Sequence, residues 1–211
     1  MNLAFLLVSQ RNRKVFTYRS NVGVDNKRNF EQNSVDTKMI TVICGTNRAN
    51  SNTSLVVRFY ENLLKSKNQE VEVLYLEDLP KDYVFHNDVL GNASPEFTNI
   101  VKSKIVPADK LVVISPEYNG GYTGALKAFI DGVWPENLKG KKVAMVGVAS
   151  GRSGNLRGMD HLTNIFHYLK MDVIPFKLPI SRIETLIDNG ELVDVYTMET
   201  LDKHADQLIE S

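Results

Sequence analysis

MITVICGTNRANSNTSLVVRFYENLLK, residues 39–65, holds a complete strand, turn and helix pattern, and this stretch decides the fold. Its first six residues are nearly all apolar, which is typical of a strand buried on both faces. After a turn rich in Asn, Ser and Thr, the residues Leu55, Phe59 and Leu63 fall on one helical stripe. A buried strand followed by an amphipathic helix predicts the first half of a β-α-β unit.

The same alternation continues to the end of the chain. Four further apolar runs are separated by helical patterns, namely VEVLYL (71–76), KLVVIS (110–115), KKVAMVGVAS (141–150) and MDVIPF (171–176). Five strands alternating with five helices predict a doubly wound α/β fold, a parallel sheet with helices on both faces. In such sheets, ligands bind beyond the carboxyl ends of the strands, where the strand order reverses.

Composition excludes several classes of partner. Lys+Arg and Asp+Glu both number 25, so no basic surplus indicates nucleic acid binding. The longest apolar runs are far shorter than the ~20 residues that span a bilayer, so we expect no membrane partner. The single cysteine, Cys44, cannot form an internal disulfide, which fits a reducing compartment, and we expect a cytoplasmic location.

Residues 1–38 differ from the remainder of the chain. They contain seven Lys or Arg and three acidic residues and show no sustained period, whereas residues 39–211 carry a net charge of -4. The run LAFLLV suggests a secretory signal, but it has only six residues and no preceding basic residue, and the basic excess suggests a transit segment. We favour a third interpretation, an extension outside a domain of residues 39–211.

Three turns should meet at the ligand-binding edge of the sheet, at residues 45–54, 115–121 and 149–155. The first precedes a helix N-terminus, where unpaired N–H groups and the helix dipole favour an anion. The sequence lacks both G-x-G-x-x-G and G-x-x-x-x-G-K-[ST], so a terminal phosphate is a better candidate than a pyrophosphate. The alternative is that this turn only caps the helix.

The second and third turns could hold a flat ligand. In SPEYNGGYTGALKAFID, residues 115–131, Pro116 and Asn119-Gly120-Gly121 favour a turn that presents peptide groups, and Tyr118 and Tyr122 add planar faces. ASGRSGN, residues 149–155, is again rich in glycine, and its spacing differs from the G-x-S-x-G motif of hydrolases. Ordinary strand-to-helix loops remain the alternative for both.

These three motifs together resemble the NAD(P)H-dependent FMN reductase family of flavodoxin-like fold, which includes quinone and azo-dye reductases. The resemblance covers roughly residues 39–180, and PEYN, residues 116–119, is its most specific part. Thr46 stands where the family pattern has Ser, and the pair Gly120-Gly121 is smaller than is common. The resemblance implies a five-stranded sheet of order 2-1-3-4-5.

The resemblance also implies a cofactor site and a reaction. Hydride would pass from NADPH or NADH to bound FMN and then to a quinone, azo or flavin acceptor, and no catalytic side chain is named because the cofactor performs the difficult step. A homodimer is implied as well. The FMN phosphate would contact Thr46, Arg48, Ser51, Asn52 and Thr53, the isoalloxazine would be bordered by Pro116, Glu117, Tyr118 and Asn119, and its opposite side would be closed by Ser150, Gly151 and Arg152.

Two other functions stay open. An FMN-binding electron carrier without nicotinamide activity is one, although such carriers tend to be strongly acidic. A protein that binds another phosphate ester is the second.

Several single residues carry further expectations. The scattered histidines indicate no metal site, Lys110 should lie at the surface, Trp134 should pack, and Tyr83 and Phe85 either border the ligand or pack.

Overall fold

A computed structural model describes residues 39–83 and 93–211 and shows a central parallel sheet. The strand order is β2-β1-β3-β4-β5, with β6 also paired to β4. The predicted α/β class and the flavodoxin-like order 2-1-3-4-5 are thereby confirmed. The strands are β1 (Ile40–Cys44), β2 (Val71–Tyr75), β3 (Lys110–Pro116), β4 (Lys142–Val148), β5 (Asp172–Val173) and β6 (Leu178–Ile180).

The fifth position of the sheet is shared by two short strands. The sequence predicted one strand over residues 171–176, and this detail was wrong: β5 pairs with the start of β4, and β6 pairs with its end. Pro175 lies in the break and has no N–H to donate to a ladder. The chain after β6 therefore leaves the sheet at the same edge as the predicted ligand-binding turns.

Five α-helices cover the two faces of the sheet in the part of the chain described. Two of them, α1 and α5, pack on one face with an apolar core of their own, and the other three pack on the opposite face. A Ser, Thr or Asp side chain caps the start of four of them. The helices are α1 (Asn52–Ser66), α2 (Pro95–Ile100, continued by a π-helical turn to Ile105), α3 (Gly124–Gly132), α4 (Leu156–Tyr168) and α5 (Val195–Glu210).

Two predictions about single residues were wrong. Lys110 is buried, and its Nζ donates to the main-chain oxygens of Leu208 and Ile209 at 2.6 and 2.8 Å. A lysine there pairs with the last carbonyls of α5 and with the negative end of its dipole. Trp134 is 52% exposed and so does not pack as expected.

A small hairpin, β7 (Ile187–Asp188) and β8 (Glu191–Leu192), precedes α5. Its turn residues Asn189 and Gly190 both have positive φ, 48° and 79°. Such values suit the two-residue turn that joins tight hairpins. Leu192 is buried in the core beneath α1 and α5, so the hairpin closes that core.

Two negative observations apply to the described residues alone. No helix within residues 39–83 and 93–211 has the length and apolar character needed to cross a bilayer. Over the same ranges, no group of three or more His, Cys, Asp or Glu side chains is arranged to hold a metal ion. The predictions for residues 1–38 and Phe85 lie outside the described residues.

Candidate functional site

A pocket opens at the carboxyl edge of the sheet, where β1 and β3 are neighbours and the chain switches from one side of β1 to the other. All three predicted turns contribute to its lining, and so does the segment after β6. The lining residues are Arg48, Ser51, Asn52, Thr53, Pro116, Glu117, Tyr118, Val148, Ala149, Ser150, Ile183 and Glu184.

The first turn brings the N-terminus of α1 to the pocket. Ser51 is the N-cap, and its Oγ accepts from the Ser54 N–H at 3.3 Å. The first helical residues, Asn52 and Thr53, line the pocket together with the exposed Arg48. Since the first N–H groups of a helix have no intrahelical acceptor, this wall is positive and rich in donors.

Thr46 supports this wall from behind without lining the pocket. It is only 1% exposed, and its Oγ1 accepts from the Arg48 N–H at 3.1 Å and lies 2.9 Å from the Tyr118 hydroxyl. The Thr46 hydroxyl therefore links the first turn to the second.

The second turn is closed on itself by two main-chain hydrogen bonds between Tyr118 and Gly121, of 2.9 and 3.1 Å. Asn119 and Gly120 occupy its centre with positive φ of 51° and 81°, which explains the Asn-Gly pair at this point. Pro116, Glu117 and Tyr118 line the pocket, whereas Asn119 is exposed and lies outside the lining.

The third turn contributes Ala149 and Ser150 to the lining, while Gly151 and Arg152 are exposed and outside it. Asn155, which the sequence analysis did not single out, joins this turn to the second. It is fully buried with φ of 63°, and its Nδ2 donates to the main-chain oxygens of Ser115 and Pro116 at 3.0 and 3.1 Å. Its N–H also donates to Oε2 of Glu117 at 3.2 Å.

A fourth wall, which the sequence analysis missed, comes from Ile183 and Glu184 after β6. The Ile183 N–H donates to the Ala149 carbonyl at 3.1 Å, and Ser150 Oγ donates to Glu184 Oε1 at 2.5 Å. No motif in the sequence marks this segment, because its position depends on the break between β5 and β6.

Tyr83 and Cys44 both belong to the buried core. Tyr83 is 5% exposed, donates to the Ala125 carbonyl at 2.7 Å and stacks on Phe97, so it packs and does not line the pocket. Burial raises the pKa of the Cys44 thiol to about 12, which keeps it protonated and unreactive near neutral pH.

The lining residues fit a flavin mononucleotide by their chemistry. The described residues of the pocket wall include no His, Cys or Lys. The wall instead offers an anion-binding helix N-terminus with Arg48, and a peptide-lined turn with the Tyr118 ring. This donor set suits a phosphate joined to a planar group.

The sequence model of the NADPH-dependent FMN reductase family matches residues 39–184. The chain belongs to this family. The expected family, its enzyme class, and the use of FMN with NADPH or NADH are thereby confirmed for this FMN reductase family member.

Named relatives agree with the family assignment. A 2-hydroxy-1,4-benzoquinone reductase of a Burkholderia species is 30% identical over 142 residues, which cover 64% of this chain and 70% of the relative. An NAD(P)H-dependent FMN reductase of Pseudomonas aeruginosa is 31% identical over 142 residues, covering 63% and 75%. Among solved structures, the flavoenzyme NAD(P)H:(acceptor) oxidoreductase FerB of Paracoccus denitrificans superposes with a TM-score of 0.65 at 22% identity, covering 82% of this chain and 98% of FerB. At that identity the superposition supports the fold.

Proposed function

We propose that this FMN reductase family member binds FMN in the pocket at the carboxyl edge of the sheet and reduces a quinone. One observation carries the proposal: eight of the twelve residues expected from the sequence, taken from three separate turns, line a single pocket. Because turns that are far apart in the chain meet in one pocket, they are better explained as a single ligand site than as three unrelated loops.

The phosphate belongs at the first turn. Arg48 supplies a charge, Ser51, Asn52 and Thr53 bring the open N–H groups of α1, and hydroxyl and amide side chains complete the set. Thr46 acts indirectly, since its hydroxyl holds the Arg48 backbone and the Tyr118 hydroxyl.

The isoalloxazine belongs between the second and third turns. Pro116, Glu117 and Tyr118 form one side, and Ser150 stands on the other. Asn119, Gly151 and Arg152 are exposed and lie outside the lining.

When bound, FMN would supply hydride transfer between a nicotinamide and an acceptor. The protein orients the ring and limits solvent access, which is why the pocket needs no catalytic acid or base. A quinone is the proposed acceptor because a relative is a benzoquinone reductase. Azo compounds and free flavin are further candidate electron acceptors.

The experiment is an anaerobic absorption titration of the purified protein with FMN and then NADPH. Flavin bands that bleach with NADPH and return with a benzoquinone would support the proposal. Bands that persist with both NADPH and NADH would support the electron carrier instead. Absence of FMN binding would overturn the site.

We also propose a homodimer. A mainly apolar groove between α3 and α4 is lined by Ile130, Val133, Ile165, Tyr168 and Leu169, and Tyr168 is 87% exposed. Exposed apolar surface of this kind marks an interaction site. Sedimentation equilibrium of the protein and of Tyr168→Glu tests it: a dimer that the variant converts to monomer supports the interface, and a monomer in both contradicts it.

The location that we propose is the cytoplasm. Cys44 is a free, buried thiol, as expected for a protein kept in a reducing compartment. Fractionation of cells that express the untagged full chain would test this location.

A further inference from the structure

Glu184 enters the pocket from a segment that is firmly attached to the third turn. Three main-chain hydrogen bonds join the segments: Ala149 N–H to Ile180 at 2.9 Å, Arg182 N–H to Gly151 at 2.9 Å, and Ile183 N–H to Ala149 at 3.1 Å. Ile183 is also buried, at 2% exposure. The fold therefore fixes the backbone from which Glu184 projects.

Ser150 orients the Glu184 carboxylate. Its Oγ donates to Oε1 at 2.5 Å, which leaves Oε2 and further lone pairs for a ligand. An ionised carboxylate only accepts hydrogen bonds, so the group that it meets must be an O–H or N–H donor.

Glu184 reaches the pocket from a different strand end than the first turn, where the phosphate is proposed to bind. The strand order runs β1, β3, β4 and then β6, so the strands that precede Arg48 and Glu184 are three spacings apart, roughly 14 Å between strand axes, and the two residues reach the same pocket from different turns. A carboxylate beside a phosphate would also be repelled. Glu184 thus faces another part of an elongated ligand.

We propose that the Glu184 carboxylate accepts a hydrogen bond from a ribityl hydroxyl of the bound flavin, with Ser150 as its positioning residue. The inference rests on the proposed FMN site and extends it. The ribityl chain joins the phosphate to the ring and carries hydroxyl donors, which match an acceptor between the two ends of the pocket.

The test compares three flavins on the full chain freed of bound flavin: FMN, riboflavin, which lacks the phosphate, and lumiflavin, which lacks the ribityl chain. In Glu184→Gln we expect FMN and riboflavin to bind about five- to tenfold more weakly, because a charge-assisted hydrogen bond becomes a neutral one. Lumiflavin affinity should stay unchanged. Glu136→Gln is the control, since Glu136 is exposed at the opposite edge of the sheet.

Three results would overturn the inference. Tighter FMN binding with unchanged riboflavin binding would place Glu184 beside the phosphate. An equal loss for lumiflavin would place it at the ring, and unchanged affinity for every flavin would remove it from the site. Ser150→Ala should also weaken riboflavin binding, but by less when combined with Glu184→Gln; full additivity would contradict the positioning role.

A separate variant tests the proposed FMN site itself. Arg48→Ala with Ser51→Ala should weaken FMN binding by at least about tenfold, or 1.4 kcal/mol, and leave riboflavin binding unchanged. Unchanged FMN affinity would mean that the first turn only caps α1. That failure is independent of Glu184, whose effect is measured with riboflavin.

Discussion

His204 lies on α5 in the core, with no exposed surface, and its Nδ1 lies 2.8 Å from the Tyr60 hydroxyl. Burial lowers the pKa of His204 to about 4 from 6.5. Between these values the unfolded chain binds a proton that the native protein excludes. The stability that comes from keeping His204 neutral is therefore fully present above pH 6.5. As the pH falls from 6.5 towards 4, the free energy of unfolding decreases by about 3 kcal/mol on this account.

We predict that His204→Gln reduces this acid sensitivity. Between pH 7 and pH 4.5 the free energy of unfolding of the variant should fall by about 2 kcal/mol less than that of the unmodified protein, since the titrating ring is gone. Urea unfolding at the two pH values measures the difference. His161→Gln, an exposed position on α4, should behave like the unmodified protein. Equal losses for His204→Gln and the unmodified protein would contradict the assignment.

Residue-level prediction from sequence succeeded where the cause was local. The Asn, Ser and Thr residues of the first turn indicated a helix N-terminus, and Ser51 does cap α1. It failed where the partner is distant in the chain. Lys110 is buried because the end of α5, about a hundred residues later, supplies its acceptors. The environment of Thr46 likewise depends on Tyr118.

Among the elements, the connection between β4 and α4 depends on Asn155. Its left-handed backbone turns the chain into α4, and its amide group holds the end of β3. Gly158 leaves the space for this amide, because a Cβ there would lie 2.1 Å from Asn155 Oδ1. Two walls of the pocket are therefore held together by one side chain.

We predict that Asn155→Ala lowers the free energy of unfolding by about 2–4 kcal/mol, through lost hydrogen bonds and a strained left-handed backbone. It should also weaken FMN binding, since the second and third turns lose their link. Glycine adopts the left-handed backbone without strain. We therefore expect the free energy of unfolding of Asn155→Gly to be about 1 kcal/mol higher than that of Asn155→Ala. Denaturant unfolding and flavin titration measure both effects. An Ala variant with unchanged stability and affinity would exclude this role.

Elements with strong local signals were predicted well, and those set by context were not. The helices followed from apolar spacing, and four begin at a Ser, Thr or Asp cap. The division of the fifth strand follows from where Pro175 lies against β4, which no local pattern shows. The β7–β8 hairpin had a local sequence signal, Asn189-Gly190, a pair typical of two-residue hairpin turns, but its two-residue strands are too short to show a period.

For the whole molecule, the boundary at Met39 remains a prediction. The family match begins at residue 39, and charge changes there, from an excess of basic residues before it to an excess of acidic residues after it. We expect a chain that begins at Met39 to keep its free energy of unfolding within about 0.5 kcal/mol and its FMN affinity within twofold, because the expected domain carries its own cores and pocket. Denaturant unfolding and flavin titration of both chains would show this. A chain that fails to fold without residues 1–38 would contradict the boundary.

The global architecture was the most predictable level. Five alternating strands and helices allow few arrangements, and the resemblance selected the order 2-1-3-4-5 that is observed. Because strand order determines which turns meet, eight predicted residues fell into one pocket. The wall formed by Ile183 and Glu184 required the path of the chain after β6, which only the assembled sheet reveals.

The broken outer strand also affects self-association. With two short strands at one border of the sheet, few consecutive peptide groups are left free to template a foreign strand. At the other border, Lys104 Nζ donates to the Val73 carbonyl of β2 at 2.6 Å, which occupies an acceptor that a foreign strand would need. In the part of the chain that the structure describes, both borders of the sheet therefore offer a foreign strand few free peptide groups.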